Sequence, residues 1–335
     1  MKRVVTFGEI MMRLIPEGYG RFQKSSHYRS YYGGAEANSA ETIAQLGIES
    51  RYVTKLPAHA LGEGAVNSLR GYGVDTSYVV RGGDRLGLYF MENGTSQRPA
   101  QTIYDRAHSA IAEAKAEEFD WDEILDGADW FQFSGITPAL SQEMAKATLE
   151  ACQTAKKKGL VVSCDLNYRS KMWSPAQARK VMDQILPLVD VFIANDKDVL
   201  GMYDDKTWTH SEPKERALEI LNWMNDRYHF KAAAMILVVE MDYGRKGTWG
   251  ALLSDGKIYQ SRDFLADMVE SVGAGDTFAG ALIVARLNGL SGDEAVNYAA
   301  AASALKFSVP GDASIITEDD ICSLMKRSGS DWIAR

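Results

Sequence analysis

The 335-residue chain lacks the patterns that mark several large classes of protein. Its three cysteines form no close pair and no CxxC motif, which argues against a disulfide framework and against a zinc site. The longest strongly apolar run, AAAMILVV at Ala232–Val239, is too short to cross a bilayer. Acidic residues outnumber basic ones by 45 to 37, and the net charge of −8 argues against a surface for nucleic acid or anionic membranes.

The same absences predict where the protein works and what it binds. Unpaired cysteines are typical of the reducing cytosol, and Glu9 interrupts the first apolar stretch, so that no secretory signal is visible. We therefore expect a cytoplasmic protein with small-molecule partners. A composition of 46% hydrophobic and 24% charged residues predicts a globular protein with an ample core.

Strand-like and helix-like segments alternate along most of the chain. The predicted buried strands are RVVTFGE, DWFQFSG, LVVSCDLN, VDVFIAN and AAMILVVE. Between them, SQEMAKATLEACQTAKKKG and SPAQARKVMDQILPLV have apolar residues at helical spacing. Ser174 followed by Pro175 is a typical helix start. This alternation predicts an α/β fold in which helices cover both faces of a mostly parallel sheet.

The N-terminal third has a different pattern. Short strand-like segments are joined there by Gly, Pro and Asn turns: EIMMRLIP, SSHYRSYYGG, LGLYFMENG and RPAQTIYD. We predict that they form a small β-sheet, a discontinuous lid, within about residues 9–34 and 85–106. Since no Pro- or Ser-rich linker divides the chain, we expect one domain over residues 1–335.

A loop rich in small residues precedes the helical pattern after Thr277, in the stretch SVGAGDTFAGALI. The first turn of a helix has free N–H groups and a partial positive charge, and glycines let a ligand approach them. We therefore interpret Gly273, Ala274 and Gly275 as an anion hole for phosphate. Asp276, in the same turn, could take a proton from a hydroxyl that attacks the phosphate, or it could only cap the helix.

A second glycine stretch, YYGGAEANSAETIAQLG, contains a Gly pair, then Asn38, then a helix closed by Gly47. Together the two stretches resemble the two signature motifs of the ribokinase-like, or PfkB-type, carbohydrate kinases, and the resemblance covers essentially the whole chain. The chain has Glu270 and Ser271 where the family usually has Asp and Thr. No GxxxxGK[ST] motif occurs, so the resemblance does not extend to P-loop enzymes.

The resemblance implies a fold and an activity. The fold is a three-layer α/β/α core with a mostly parallel sheet and a small β-sheet lid. The activity is ATP-dependent phosphorylation of a sugar, with Asp276 as general base. Mg²⁺ is expected through water near Asn195 and Asp198, although Asn195 could simply begin a helix. The family also leaves room for a monovalent cation.

Several local stretches most resemble family members that phosphorylate 2-keto-3-deoxygluconate at its 6-hydroxyl: TKLPAHALG, GLYF, IYDR, DLNYR and FSVPGD. This resemblance implies a substrate pocket that contains Gly34, Asn38, Tyr89, Tyr104, Arg106 and Arg169. Both tyrosines could instead pack the small sheet as ordinary strand aromatics.

The arginines favour an acidic sugar on physical grounds. Arg13 stands where kinases of neutral sugars commonly carry an Asp for sugar hydroxyls, so that an acceptor is missing. Arg106 and Arg169 could bind a carboxylate with paired N–H donors. Alternatively, neighbouring Asp105 and Asp165 could hold these two arginines in a purely structural role.

Two rival functions follow from the same residues. One is a kinase of a neutral sugar such as fructose, or of a nucleoside, on the same fold. The other is a non-catalytic sugar-binding regulator, against which the intact GAGD sequence argues. Because a small sheet with one apolar face and open edges tends to associate, we also expect a homodimer through the lid.

Overall fold

The computed structural model describes residues 2–240 and 246–326, in which strands and helices alternate as predicted. In chain order the strands are β1 (Arg3–Phe7), β2 (Met11–Pro16), β3 (Tyr28–Gly33), β4 (Glu49–Leu56), β5 (Val79–Arg81), β6 (Leu88–Glu92), β7 (Gln101–Asp105), β8 (Trp130–Ser134), β9 (Val161–Asp165), β10 (Val191–Ala194), β11 (Ala232–Glu240), β12 (Lys246–Ser254), β13 (Lys257–Gln260) and β14 (Phe264–Ala266). The α-helices are α1 (Ala35–Gln45), α2 (Ala60–Gly71), α3 (Trp121–Ile124), α4 (Ile136–Leu140), α5 (Gln142–Lys157), α6 (Pro175–Ile185), α7 (Asp196–Met202), α8 (Pro213–Tyr228), α9 (Ala274–Leu287), α10 (Gly292–Lys306) and α11 (Glu318–Lys326).

Within the described residues, ten strands form the main sheet, in the order β13-β12-β11-β10-β9-β8-β1-β4-β5, with β14 also paired to β12. Every pairing from β5 across to β11 is parallel. Only β12 breaks the pattern, because it runs antiparallel to β11, β13 and β14. The prediction of a mostly parallel sheet is confirmed.

Alternate residues of the central strands pack into two separate apolar clusters. In β10, Phe192 and Ala194 belong to one cluster, whereas Val191 and Ile193 belong to the other. The first cluster is completed by α5, α6 and α8, and the second by α9 and α10. Since successive side chains of a strand point to opposite faces, helices cover both faces of the sheet. The predicted three-layer α/β/α architecture is therefore confirmed.

A separate four-stranded sheet has the order β3-β2-β6-β7. Its β2 and β6 are parallel, and the two outer pairings are antiparallel. All four strands lie within the two N-terminal segments that the sequence predicts to form a small sheet. Its action as a lid and the assignment of residues 1–335 to one domain stay predictions. No helix in the described ranges is long and apolar enough to cross a membrane.

A buried arginine fastens the small sheet to the loop that precedes α9. Arg13, on β2, is fully buried and forms ion pairs with Glu270 and Asp312, the latter at 3.1 Å between Nε and Oδ2. The Tyr89 hydroxyl, on β6, donates a hydrogen bond to Asp312. The N–H of Gly311 donates to Glu270 Oε2 at 2.9 Å. Two strands of the small sheet are therefore tied to two loops of the core.

These contacts correct the role that the sequence indicates for Arg13. The carboxylates that face its guanidinium belong to the protein, and its side chain has no exposed surface through which a sugar acid could reach it. We therefore assign Arg13 to the attachment of the small sheet rather than to the substrate pocket. Arg13 and Glu270, which the sequence analysis noted separately, are partners of each other.

We predict that Arg13→Met lowers the free energy of unfolding by about 3–5 kcal/mol, because it leaves buried carboxylates without their counter-charge. Urea unfolding followed by tryptophan fluorescence measures this change. Arg29→Met is the matched control: Arg29, on β3 of the same sheet, is 63% exposed and lies 4.0 Å from exposed Glu17. An exposed pair contributes about 0–1 kcal/mol. Equal losses for both variants would contradict the assigned role of Arg13.

Candidate active site

The polar side chains singled out by the sequence gather at the carboxyl ends of the parallel strands. Asp165 ends β9, and Asn195 follows β10 directly. In sheets of this kind, ligands bind in the crevice outside the carboxyl ends of the strands. The start of α9 and the cavity wall described below bring further charged groups to the same region.

The glycine loop has the backbone that a close ligand approach requires. Gly273 precedes α9 with a φ of +83°, a left-handed conformation that favours glycine. A Cβ at this position would lie 2.3 Å from the carbonyl oxygen of Asp312, so a larger residue would displace the loop that contains Asp312. The N–H groups of the first turn of α9 have no acceptor within the helix. Gly275 faces open space, and the predicted anion hole at Gly273–Gly275 therefore has a suitable backbone.

The two glycine motifs meet at Asp276. Asn38, in α1, donates from Nδ2 to Asp276 Oδ2 at 2.6 Å, and the hydroxyl of Ser39 donates to the Asp276 carbonyl at 3.0 Å. Gly34 is part of the same arrangement, because its N–H donates to Asn38 Oδ1 at 3.3 Å. The N–H of Gly34 thus holds the oxygen of the Asn38 amide, and the nitrogen of the same amide orients the Asp276 carboxylate.

The Asp276 carboxyl has a pKa raised to about 7. Burial is the main cause, and the hydrogen bond from Asn38 and the charge of Arg169 oppose it. The nearby carboxylates of Glu36 and Asp312 raise the pKa further. A half-buried carboxylate with a pKa close to neutrality can accept a proton at physiological pH and release it again. Among the described residues, the Asp276 carboxylate accepts a hydrogen bond from Asn38 and from no N–H group of its own helix start.

Asn195 begins α7 as an N-cap, as one of the two interpretations of the sequence has it. Its Oδ1 accepts a hydrogen bond from the N–H of Asp198 at 2.9 Å, and its Nδ2 donates to Asp198 Oδ2 at 2.6 Å. The pKa of Asp198 is raised to about 6. Burial is the main cause of this rise, and the charge of Arg169 opposes it. In residues 2–240 and 246–326, no group of three or more His, Cys, Asp or Glu side chains could hold a metal ion directly.

A cavity of about 980 Å³ lies between β7, the loop that follows it and the loop after β9. Its wall contains Tyr104, Arg106 and Arg169, three of the predicted substrate residues. Lys171 and Met172 also line it and were not singled out from the sequence. Tyr89 is not part of this wall; it is buried behind Tyr104, and their rings stack with centroids 5.8 Å apart. The cavity wall therefore contains three of the six residues of the predicted pocket.

Arg106 has a partner that the sequence analysis missed. Its Nη2 lies 2.8 Å from Oε2 of Glu9, and its guanidinium stacks over the Tyr104 ring at 5.2 Å. Glu9 is buried, and its other oxygen accepts a hydrogen bond from the hydroxyl of Ser109 at 2.7 Å. The only sequence signal was an acidic residue directly after a buried strand. Asp105, the partner considered from the sequence, instead forms an ion pair with Arg85.

Arg169 is held more loosely than Arg106. Its side chain is 40% exposed, and its Nη1 lies 3.7 Å from Oδ1 of Asp198. Its charge lowers the pKa values of Asp165, Asp198 and Asp276. The guanidinium thus lies between the cavity and the group of acids at the strand ends, with N–H donors left for a ligand.

The chain matches carbohydrate kinases along almost its whole length. Residues 1–319 match the family model described as pfkB family carbohydrate kinase. A 2-dehydro-3-deoxygalactonokinase from Haloferax volcanii is 35% identical over 320 residues, which are 95% of each chain. A 2-dehydro-3-deoxygluconokinase from Bacillus subtilis is 29% identical over 92% of this chain and 90% of that protein. The crystal structure of 2-dehydro-3-deoxygluconokinase from Thermotoga maritima superposes with a TM-score of 0.93 at 42% identity, covering 97% of this chain and 99% of that one.

We predict that the stability gained by Asp276→Asn depends on pH. A folded-state pKa of about 7 exceeds the unfolded value of about 3.9, so this carboxyl contributes stability that is complete below about pH 4 and is lost as the pH rises through about 7. The variant lacks this loss. Relative to the wild type, it should gain about 1–2 kcal/mol more at pH 8.5 than at pH 5.5. Chemical unfolding at both pH values without ligand measures the gain, and equal gains would contradict the raised pKa.

Proposed function

Because the chain belongs to the pfkB family of carbohydrate kinases, we propose that it phosphorylates the 6-hydroxyl of 2-keto-3-deoxygluconate with ATP. The observation that carries the proposal is the pair of guanidiniums, Arg106 and Arg169, in the wall of one cavity, with Arg169 close enough to the general-base candidate Asp276 for its charge to lower the pKa of that carboxyl. A sugar acid supplies both groups that such a site needs, a carboxylate at one end and a primary hydroxyl at the other.

The charge of the cavity wall supports an acidic substrate. Arg106, Arg169 and Lys171 all contribute to it, and Arg106 has Glu9 as an internal carboxylate partner. Arginine binds carboxylates through paired N–H donors, and such charge-assisted hydrogen bonds are stronger than neutral ones. A neutral sugar would leave these donors without a partner while displacing their water, which costs free energy.

The reaction uses the two glycine motifs in one step. Arg106 and Arg169 bind the carboxylate of the sugar acid and orient its far end. Asp276 takes the proton of the 6-hydroxyl as the oxygen forms a bond to the γ-phosphorus of ATP, and the bond from that phosphorus to the β-phosphate oxygen breaks. The N–H groups at Gly273–Gly275 stabilise the charge on the transferred group. The products are ADP and the 6-phosphate.

The residues at the strand ends fit a magnesium ion held largely through water. Burial raises the pKa of both Asp165 and Asp198, and the nearby charge of Asp198 raises the pKa of Asp165 further. Mg²⁺ prefers oxygen ligands and keeps several waters, so Asp198, oriented by Asn195, would hold it without a complete protein cage. When bound, the ion would neutralise charge on the phosphates of ATP.

A second substrate is 2-keto-3-deoxygalactonate, since the Haloferax relative is named for it. The two acids share the carboxylate and the primary hydroxyl and differ in the configuration of one hydroxyl. ADP release on both acids, an aldonic acid, fructose and a nucleoside tests the proposal. We expect turnover of a 2-keto-3-deoxy acid by the wild type and a loss of about 10²–10⁴-fold in Asp276→Asn. A preference for fructose or the nucleoside, or no turnover at all, would favour the neutral-sugar kinase or the non-catalytic regulator.

Three further expectations stay predictions. One is a requirement for a monovalent cation, and another is the cytoplasmic location. The third is a homodimer through the small sheet, on which Ile103 and Tyr104 of β7 are exposed. Sedimentation velocity at micromolar concentration checks the dimer, and a strictly monomeric species would contradict it.

We predict that Arg106→Gln and Arg169→Gln each raise the KM for the sugar acid about ten- to a hundredfold, because each removes one charged contact to the carboxylate. The poor turnover of fructose should barely change. Arg29→Gln is the matched control, since Arg29 is an exposed arginine on β3 of the same small sheet and does not line the cavity. Parallel losses on fructose and the sugar acid in both cavity variants would contradict a carboxylate-binding role.

A further inference from the structure

Lys306 is a buried cation that the proposed reaction does not use. It is the last residue of α10, its side chain has no exposed surface, and its Nζ donates a hydrogen bond to the carbonyl of Val309 at 2.8 Å. Burying an ammonium group costs free energy, and an apolar residue of similar length would fill the space without that cost. A charge in this position therefore indicates a function.

The ammonium group lies behind the glycine loop. A Cβ on Gly273 would be 3.3 Å from Cε of Lys306, so the loop and the end of the lysine are in contact range. The segment from Lys306 to Asp312 packs against the loop at Gly273, because both of its end residues lie next to that glycine. Within it, the carbonyl of Phe307 accepts a hydrogen bond from the N–H of Val269 at 2.8 Å. Lys306 is therefore in contact range of the loop, and the residue after it is hydrogen-bonded to the segment that leads into the loop.

Charged side chains surround the ammonium group. Burial lowers the pKa of Lys306 to about 8, and the charge of Arg13 lowers it further. The carboxylates of Glu270, Asp312 and Asp276 oppose this shift. Lys306 therefore remains mostly protonated at neutral pH, and a phosphate on the other side of the loop would favour its charged form still more.

We propose that Lys306 is a positioning residue for phosphoryl transfer, whose buried ammonium group supports the Gly273–Gly275 loop and adds fixed positive charge behind the phosphate site. This inference rests on the proposed kinase function. A charge fixed in a water-poor site needs no reorganisation when negative charge moves, and here it adds to the charge of the helix start. Its effect should fall on kcat and on ATP affinity, and not on the binding of the sugar.

The first test compares Lys306→Met with Lys257→Met. Methionine keeps the length and apolar stem of lysine without its charge, and Lys257 is an exposed lysine on β13. For Lys306→Met we expect kcat to fall by about 10–100-fold and the KM for the sugar acid to change by less than about twofold. The control variant should match the wild type. A kcat within about twofold of the wild type for Lys306→Met would overturn the proposal.

The second test separates charge from packing in one folded protein. Lys306→Ala leaves a space the size of a propylamine, so propylammonium ions should restore part of the lost kcat. The neutral isostere 1-propanol should not. Equal recovery with both additives, or none with either, would show that Lys306 only fills space or holds the fold, and would overturn the proposal.

A third measurement keeps this inference distinct from the choice of sugar. Calorimetric titration with ATP, with no sugar present, should show weaker binding by Lys306→Met than by the wild type, about tenfold, because one nearby positive charge is lost. If no sugar acid is a substrate but this loss of affinity occurs, the proposed substrate fails and the role of Lys306 stands. Unchanged ATP affinity together with unchanged kcat would overturn the role of Lys306 alone.

Discussion

The hydrogen bond from Asn38 to Asp276 is the contact on which the candidate active site depends. It joins α1 to the start of α9, two helices that are more than two hundred residues apart in the sequence. It also orients the carboxylate beside the glycine loop. Burial raises the pKa of Asp276, and this hydrogen bond limits the rise. This interaction therefore orients the group that would take the proton from the substrate and limits its basicity.

The support of the glycine loop extends into the small sheet through paired charges. Arg13 on β2 contacts Glu270 and Asp312, and Lys306 lies behind the same loop. Because buried charges are costly unless paired, this set of groups is stable only when the sheet and the loop keep their relative positions. A sheet that contributes to the substrate cavity is thus connected to the backbone that would bind phosphate.

The fold and the centre of the site could be predicted from the sequence because their signals are local. Buried strand segments, helix starts such as Ser174, and the two glycine motifs each lie within about fifteen residues. Partners that meet only in the folded chain could not be predicted in this way. Glu9 reaches Arg106 because the end of β1 lies beside the loop after β7, and Arg13 and Glu270 were noted separately without any sign of their contact. Lys306 had a weak signal, since it shares a helical face with the alanines four and seven residues before it.

The orientation of the substrate is the central claim, and a crystal structure with 2-keto-3-deoxygluconate and a non-hydrolysable ATP analogue tests it most directly. The account predicts the carboxylate on Arg106 and Arg169, and the 6-hydroxyl within about 2.6–3.2 Å of an Asp276 carboxylate oxygen. It also predicts the terminal phosphate of the analogue at the N–H groups of Gly273–Gly275. A sugar bound in the opposite direction, with its carboxylate beside Asp276, or bound away from both arginines, would contradict the account.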